Sequence, residues 1–260
     1  MKATCSNGHD FEYEEADIKS HFVMCGDSTK DVDRLFDKAT IAFTSPPYNV
    51  GHNLGYKNDN KYNEYKDDNP EYLDLLNDFN AICLNKCEYS FVNLQFLSGN
   101  KRQIVQWLFD NNDKFCDIAF WKKSQVAPAM AENVMNSQTE CIFIFGGNGS
   151  RAINTGQFRG NVSNFVETNS ASIENDNSKI HNATFPIGFV AYFIDNFTQK
   201  GDSVYDAFIG TGTTLIACEQ TDRTCYGMEL SEAYVDVIRK RYHKFVTGNE
   251  DGWEDGTPAI

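Results

Sequence analysis

A four-residue corner, Ser45-Pro46-Pro47-Tyr48, brings together residue types that could do chemistry. It follows the apolar run TIAFTS (40–45), which is typical of a buried strand, so the corner lies where a strand ends. Two adjacent prolines fix the backbone and remove two N–H donors, which aims the carbonyl of Pro46 rigidly. The alternative is that the prolines only end the strand and that Tyr48 packs in the core.

A second corner, DAFIGTGTT (206–214), predicts a ligand site. A strand ends at Asp206, the chain turns tightly at Gly210 and Gly212, and a helix begins near Thr213. Glycines let a backbone approach a ligand, and the first turn of a helix offers unpaired N–H groups. Glu229 ends the next strand, 19 residues after Gly210, and an acid at about that spacing binds ribose hydroxyls in nucleotide-binding α/β folds. The alternative is an ordinary strand–helix turn with a solvated Glu229.

The residues of the second corner favour S-adenosyl-L-methionine as the ligand. The phosphate-cradling pattern G-x-x-x-x-G-K-[ST] is absent, and Leu215 stands where a dinucleotide motif has its third glycine. A carboxylate at Asp206 suits a cationic ligand, and S-adenosylmethionine has a ribose, an ammonium group and a sulfonium but no phosphate. No metal is predicted: Cys5 with His9, or Cys83 with Cys87, lacks the second pair that a zinc finger needs.

The elements that must position these corners alternate between strand and helix. Seven near-continuous apolar runs predict strands at 21–26, 40–45, 88–96, 116–121, 140–146, 203–210 and 224–230. Five helical patterns lie between or after them, at 70–87, 100–112, 187–199, 213–221 and 231–246. The alternation predicts an α/β fold, a Rossmann-like seven-stranded sheet with helices on both faces and a small polar insertion.

Composition narrows the class of protein. The net charge of −14 argues against a general phosphate-binding surface, although local clusters such as Lys122–Lys123 still allow nucleic-acid contacts. The cluster 239–241 is expected to be a solvated helix face. The eight cysteines form no C-x-x-C pair, which is typical of free thiols in a reducing cytoplasm. The chain shows neither a long apolar run nor an apolar signal region, so a membrane span or secretion is not expected.

Four motifs, in their order, resemble those of the amino-group DNA methyltransferases, which modify adenine N6 or cytosine N4. The motifs are CGDS (25–28), TSPPY (44–48), HNATFPIGFVAYFI (181–194) and DAFIGTGTT (206–214). The catalytic motif precedes the cofactor motif, which is similar to the β group of that family. The resemblance covers about residues 20–245 and implies a site-specific DNA methyltransferase that acts in the cytoplasm of a bacterial, archaeal or phage-infected cell.

The resemblance implies how the first corner works. An exocyclic amino nitrogen is a poor nucleophile because its lone pair is delocalised into the ring. The Ser45 hydroxyl oxygen and the Pro46 carbonyl would hold its two N–H bonds, Pro47 would keep the corner rigid, and Tyr48 would stack on a base turned out of the duplex. In-line attack on the methyl then needs mostly positioning, and no strong general base is predicted.

The resemblance also assigns the cofactor contacts and the nucleic-acid contacts. The predicted cofactor-binding residues are Asp27, Thr184, Phe185, Pro186, Asp206, Phe208, Gly210, Gly212, Thr213, Thr214 and Glu229. The predicted contacts to double-stranded DNA are Asn49, Tyr56, Lys57, Lys122, Lys123, Arg151 and Arg159. The polar loop after the first corner is expected to close over the base. The segment 146–180 is the candidate target-recognition insertion, and its small size suggests help from a second subunit in a homodimer.

The sequence predicts three segments along the chain. Residues 1–20 are an N-terminal extension, 21–246 the catalytic domain and 247–260 a flexible acidic tail. A stand-alone methylase is implied, since no endonuclease domain fits in the remaining length. Serine at the first motif position favours cytosine N4 over adenine N6. The alternatives are a methyltransferase that acts on RNA or on a protein amide, and a binding protein on a decayed methyltransferase fold.

Overall fold

The computed structural model describes residues 2–4, 10–12, 21–49, 69–124, 132–155, 162–168 and 185–256. For 2–4, 10–12 and 255–256 it describes the backbone alone. Near the N-terminus, β1 (Lys2–Thr4) pairs antiparallel with β2 (Asp10–Glu12).

An eight-stranded sheet forms the centre of the molecule, in the order β3-β10-β9-β4-β5-β7-β6-β8. Its strands are β3 (Phe22–Cys25), β4 (Ala39–Thr44), β5 (Cys87–Leu94), β6 (Phe115–Lys123), β7 (Thr139–Gly146), β8 (Phe165–Thr168), β9 (Ser203–Asp206) and β10 (Thr224–Glu229). Only β7 runs against the others among these strands, since it pairs antiparallel with both β5 and β6. The carboxyl ends of the parallel strands therefore share one edge of the sheet, which we call the carboxyl edge.

Helices cover both faces of the sheet. They are α1 (Tyr72–Lys86), α2 (Lys101–Asp110), α3 (Ile187–Phe197), α4 (Thr213–Thr221), α5 (Glu232–Thr247) and the short α6 (Trp253–Gly256), with a 3-10 turn at Val32–Arg34. Side chains of β4 alternate between two buried clusters: Ile41 and Phe43 face one, and Ala42 faces the other. The α/β class and the covering of both faces are confirmed.

The strand number differs from the prediction, because the structure adds β8 to the seven predicted strands. Phe165–Thr168 lies inside the segment predicted for target recognition and pairs parallel with Phe120–Lys123 of β6. This edge strand has only four residues in a polar context, and so short a segment shows too little alternation of apolar and polar residues to be recognised from the sequence. The strand at 203–206 is also shorter than its predicted run, because the chain turns as soon as Asp206 has been passed.

The described helices include none that is long and apolar enough to cross a membrane. Seven cysteines fall in the described residues, and all are free thiols. Cys83 and Cys87 are buried, where burial raises the pKa of each thiol, and that of Cys87 reaches about 12. The Cys5–His9 pair lies outside the described residues.

Candidate active site

The two corners predicted from the sequence meet at the carboxyl edge. Strands β4 and β9 are parallel neighbours, with Ile41 opposite Val204 and Ala42 opposite Tyr205. The hydroxyl of Thr44, the last residue of β4, donates to Asp206 Oδ1 at 2.7 Å. Residues 162 positions apart in the chain thus place the diproline corner beside the glycine turn.

Asp206 joins the two corners from inside the protein. It is buried, and its Oδ2 accepts from the Thr214 hydroxyl at 2.6 Å while its Oδ1 also accepts from the Phe208 N–H at 3.1 Å. The sequence suggested that this carboxylate would point toward a cationic ligand. Instead, both oxygens bind protein groups, because two threonines from separate elements converge on them. Burial raises the pKa of Asp206 to about 6, although the hydrogen bonds from Thr214 and Thr44 oppose the rise.

The raised pKa of Asp206 makes stability depend on pH. Because the pKa in the folded state, about 6, lies above its ordinary value of 3.8, the native state holds the proton more tightly than the unfolded chain does. The resulting contribution is full below about pH 4 and is lost as the pH rises through about 6. We expect the free energy of unfolding of wild type relative to Asp206→Asn to fall by about 2–3 kcal/mol from pH 4 to pH 7. Urea unfolding of both proteins at several pH values measures it, and a pH-independent difference would contradict it.

The glycine turn has the backbone shape that a close ligand requires. Gly210 and Gly212 have φ values of 56° and 83°, which other residues adopt at a cost. A Cβ on Gly212 would lie 3.0 Å from the Ile238 side chain, whereas the one described atom within 4 Å of a Cβ on Gly210 is the Phe208 carbonyl oxygen, at 3.9 Å. The space above Gly210 is therefore open, and α4 begins directly after the turn with Thr213 and Thr214.

Glu229 holds the glycine turn from the neighbouring strand. Its Oε2 accepts from the Gly210 N–H at 3.0 Å, and its Oε1 accepts from the Ser231 N–H at 2.9 Å. Burial raises the pKa of Glu229, while those two N–H groups lower it. The acid and the turn that the sequence paired by spacing are thus in direct contact, and each carboxylate oxygen keeps a lone pair for a further donor.

Arg241 holds the same turn from α5. One of its guanidinium nitrogens donates to the carbonyl and the hydroxyl of Thr211 at 3.0 and 3.1 Å and to the Thr213 hydroxyl at 2.9 Å. Burial lowers the pKa of Arg241 to about 10. The cluster 239–241 was expected to be a solvated face, but Arg241 is buried because it lies on the same helix face as Ile238 and Tyr242.

The diproline corner is fixed by a polar network beneath it. The Ser45 hydroxyl donates to the Asn93 carbonyl at 3.2 Å and lies 3.4 Å from the Tyr48 oxygen. The Tyr48 hydroxyl donates to Glu140 Oε2 at 2.6 Å and accepts from Asn93 Nδ2 at 2.8 Å. Burial and the Glu140 carboxylate raise the pKa of Tyr48 well above its ordinary value. Because the Ser45 proton is engaged with Asn93, its oxygen is left as an acceptor.

The other predicted cofactor residues lie around the two corners, apart from Thr184, which is outside the described residues. Asp27 follows β3 beside Glu229, since the Gly26 N–H donates to the Glu229 carbonyl at 2.9 Å. Burial raises the pKa of Asp27, but hydrogen bonds from Lys30 and Thr29 outweigh it and hold the pKa below its ordinary value. Pro186 starts α3, Phe185 packs on Phe43 with ring centres 6.1 Å apart, and Phe208 packs on Phe79 at 5.3 Å.

Several residues predicted to contact DNA have other partners. Lys123 forms an ion pair with Glu140 under the diproline corner, with 27% of its side chain exposed. The amide of buried Asn49 pairs with the backbone of Asn69, accepting its N–H at 2.7 Å and donating to its carbonyl at 3.3 Å. Lys122 lies at the carboxyl edge and pairs with Glu167 at 2.9 Å. Tyr56, Lys57 and Arg159 lie outside the described residues.

Arg151 lies at the end of the sheet opposite the carboxyl edge, where the parallel strands begin. It forms two hydrogen bonds to Asp117 Oδ2, at 2.9 and 2.7 Å, near the start of β6. The reversed direction of β7 causes this placement, because the chain leaves β7 where the parallel strands begin. A cavity of about 390 Å³ at that edge is lined by Asp117, Arg151 and Phe197 among others, so it is separate from the two corners.

Sequence reasoning missed four residues of the site: Asn93, Asn100, Glu140 and Arg241. Asn100 donates to the Tyr48 carbonyl at 2.6 Å and so fixes the backbone of the corner. Asn93 and Glu140 are buried polar residues beside apolar stretches of β5 and β7, and that contrast is the signal that could have identified them. No group of three or more His, Cys, Asp or Glu suited to a metal ion occurs in the part of the chain that the structure describes.

Comparison with known proteins agrees with this geometry. A family model of the N6/N4 methyltransferases, described as DNA methylase, matches residues 39–240. The chain therefore belongs to the N6/N4 DNA methylase family, and the resemblance seen in the motifs is confirmed. Its class is an amino-group DNA methyltransferase.

One curated relative and two solved structures are distant in sequence but cover most of the chain. The type II methyltransferase M.HpaI of Haemophilus parainfluenzae is 23% identical over 234 residues, 84% of this chain and 73% of the relative. The structure of the cytosine-N4-specific PvuII DNA methyltransferase has a TM-score of 0.64 at 18% identity and covers 89% of this chain and 88% of its own. The M1.HpyAVI–SAM complex has a TM-score of 0.62 at 17% identity, with coverage of 86% and 99%. At such identities the two structures support the fold.

Proposed function

We propose that this protein transfers the methyl group of S-adenosyl-L-methionine to the exocyclic amino group of a base turned out of double-stranded DNA. The observation that carries the proposal is the hydrogen bond from Thr44 to Asp206, because it joins a rigid acceptor corner to a glycine turn at one edge of the sheet. Cytosine N4 is the first expectation for the target, from the serine at position 45, and adenine N6 is the second.

The residues around the glycine turn fit the cofactor. No described side chain lies where a Cβ on Gly210 would strike it, and Glu229 offers lone pairs to ribose hydroxyls at the end of β10. Asp27 lies beside Glu229 for the adenine end, and Phe185, Pro186 and Phe208 supply apolar surface. When bound, S-adenosylmethionine supplies an electrophilic methyl group. Asp206 contributes by fixing the turn against β4, through Thr214 and Thr44.

The chain's own part in catalysis is to orient the amino group. The Ser45 oxygen accepts, since its proton is donated to Asn93, and the Pro46 carbonyl accepts because proline holds it rigidly. Two fixed acceptors favour a tetrahedral nitrogen whose lone pair faces the methyl group, and this preorganisation supplies the rate enhancement. Tyr48 stacks on the base and holds its plane. The proton leaves to water after the transfer.

Labelled cofactor and unmethylated DNA test the proposal. Mass analysis of the digested nucleosides is expected to show N4-methylcytosine. If it shows N6-methyladenine instead, the proposed methyl transfer stands and the target base is adenine. RNA and a protein extract serve as competing acceptors in parallel reactions. Label in either of them, without label in DNA, would contradict the proposal.

Removing Glu229 should weaken cofactor binding. Glu229→Ala deletes the acceptor of the Gly210 N–H and of the ribose hydroxyls, so we expect the cofactor Kd to rise by about 10- to 100-fold. Isothermal titration with S-adenosylmethionine in the absence of DNA measures the effect. Glu232→Ala is the matched control, since that acid is exposed and is the first residue of α5. Equal losses in both variants would show that net charge, and not the contact, determines binding.

DNA is proposed to approach the carboxyl edge, where Lys122 and the exposed start of α2, with Lys101 and Arg102, lie. Asn49 contributes at this edge by holding the backbone of Asn69. Arg151 takes no part in contacts at this edge. The segment 146–180 begins at the opposite edge and returns through β8, so its later half is the proposed recognition part. Assembly as a homodimer and pairing with a restriction enzyme, as the type II names of relatives suggest, are further proposals.

A further inference from the structure

The polar network under the diproline corner is built around a buried carboxylate. Glu140 is 4% exposed and is the second residue of β7, whose later part is apolar. Its Oε1 pairs with the Lys123 ammonium, and its Oε2 accepts from Tyr48 at 2.6 Å and from Asn93 Nδ2 at 2.7 Å. Each of these partners is a donor, and they come from three places in the chain. The carboxylate therefore links the sheet to the aromatic ring of the catalytic motif.

Stability alone does not account for this network. A buried ion pair is often no more stabilising than apolar side chains of the same volume, since both charges lose their hydration. In addition, Asn93 Oδ1 is buried without a hydrogen-bond partner in the described part of the chain, which is costly inside a protein. A polar network that is kept at this cost, and that fixes side chains directly under the reacting groups, indicates a positioning role.

We infer that Glu140, held by Lys123, is a positioning residue for the transfer, an inference that rests on the proposed function. By accepting the Tyr48 proton, Glu140 fixes the rotation of the ring on which the base stacks. The same hydroxyl oxygen accepts from Asn93, whose backbone carbonyl takes the Ser45 proton. The carboxylate thus sets the plane of the base and the direction of the Ser45 lone pair together.

A double-mutant cycle on the transfer rate tests this role. In Glu140→Gln an amide NH2 must face one of the donors, and in Tyr48→Phe the ring remains without its hydroxyl. We expect each variant to lower the single-turnover rate by about tenfold, and the double variant to lose about tenfold as well, because both changes break one contact. The Kd values for cofactor and DNA should stay within about twofold of wild type.

Asp195→Asn is the control for a merely structural role. Asp195, whose side chain is 57% exposed, pairs at 2.9 Å with the buried Arg223 guanidinium, and this pair lies away from both corners. We expect the control to lower the melting temperature and to leave the rate unchanged. A rate for Glu140→Gln within about twofold of wild type, or a double variant with the product of the two single losses, overturns the inference.

A second measurement does not depend on activity. In protein labelled with ¹³Cζ-tyrosine, the Tyr48 resonance is identified by its absence in Tyr48→Phe, and Glu140→Gln should shift it. An unshifted resonance means that the contact is absent in solution and also overturns the inference. If Glu140→Gln shifts the Tyr48 resonance but the wild-type protein does not methylate DNA, the contact exists and the proposed function fails.

Discussion

Tyr48→Ala is expected to lower methyl transfer by about 10- to 150-fold while the cofactor Kd stays near normal. The variant loses the ring on which the base stacks, and it leaves Glu140 and Asn93 without the hydroxyl that they share. The hydrogen bonds described for the Tyr48 side chain go to the diproline corner, β5 and β7, whereas Glu229 and Arg241 hold the glycine turn. Single-turnover kinetics and cofactor titration separate the two effects.

Tyr192→Ala is the matched control for Tyr48→Ala. Tyr192 is a half-buried tyrosine on α3 whose hydroxyl donates to the Ser163 carbonyl at 2.7 Å, near the start of β8 and away from the site. Its loss should leave the transfer rate within about twofold of wild type. If Tyr48→Ala weakened cofactor binding as much as it weakened turnover, the division of work between the two corners would be wrong.

Gly210→Val is expected to abolish most cofactor binding in a protein that still folds. The new side chain enters the open space above the turn, where the nearest described atom is 3.9 Å from the Cβ position. If the cofactor occupies that space, crowding raises its Kd by about 100-fold. The positive φ of 56° costs the fold about 1–2 kcal/mol of unfolding free energy. Thermal unfolding and cofactor titration measure the two quantities.

Gly248→Val separates the strain of the backbone from the loss of the ligand. Gly248 caps α5 with φ of 74°, and no atom of the described residues lies within 4 Å of its Cβ position. Both glycine variants should therefore lose similar unfolding free energy, and only Gly210→Val should lose the cofactor. Normal cofactor affinity in Gly210→Val would mean that the cofactor lies elsewhere.

Local signals in the sequence account for what could be predicted. The helix at 213–221 has its predicted bounds and α5 is shifted by one residue, because apolar periodicity and the glycine turn define them. The contact between Glu229 and Gly210 follows from a spacing that the strand–turn–helix geometry imposes. Such features depend on residues that are close in sequence, or on the strand–turn–helix unit that recurs in α/β folds.

Partners distant in sequence account for what could not be predicted. The direction of the Asp206 carboxylate depends on Thr44, from a strand far earlier in the chain. Lys123 was assigned to DNA because its neighbour Lys122 made a basic pair, and only the fold shows that Glu140 lies beside it. Arg151 was assigned to DNA from its segment, but the reversed strand β7 carries it to the other edge. Arg241 could have been found, since Ile238 and Tyr242 mark an apolar helix face.

The pairing of β4 with β9 has a consequence for synthesis on the ribosome. A nascent chain that ends before Ser203 already contains the diproline corner but has no strand to cover that edge of β4. It also lacks Asp206, which accepts the hydrogen bond from Thr44 beside the corner. Parallel pairing between such distant residues forms late, because the intervening chain must first be brought together. Truncated or unfinished copies therefore contain the diproline corner without the glycine turn, and catalytic competence arrives with the last part of the polypeptide.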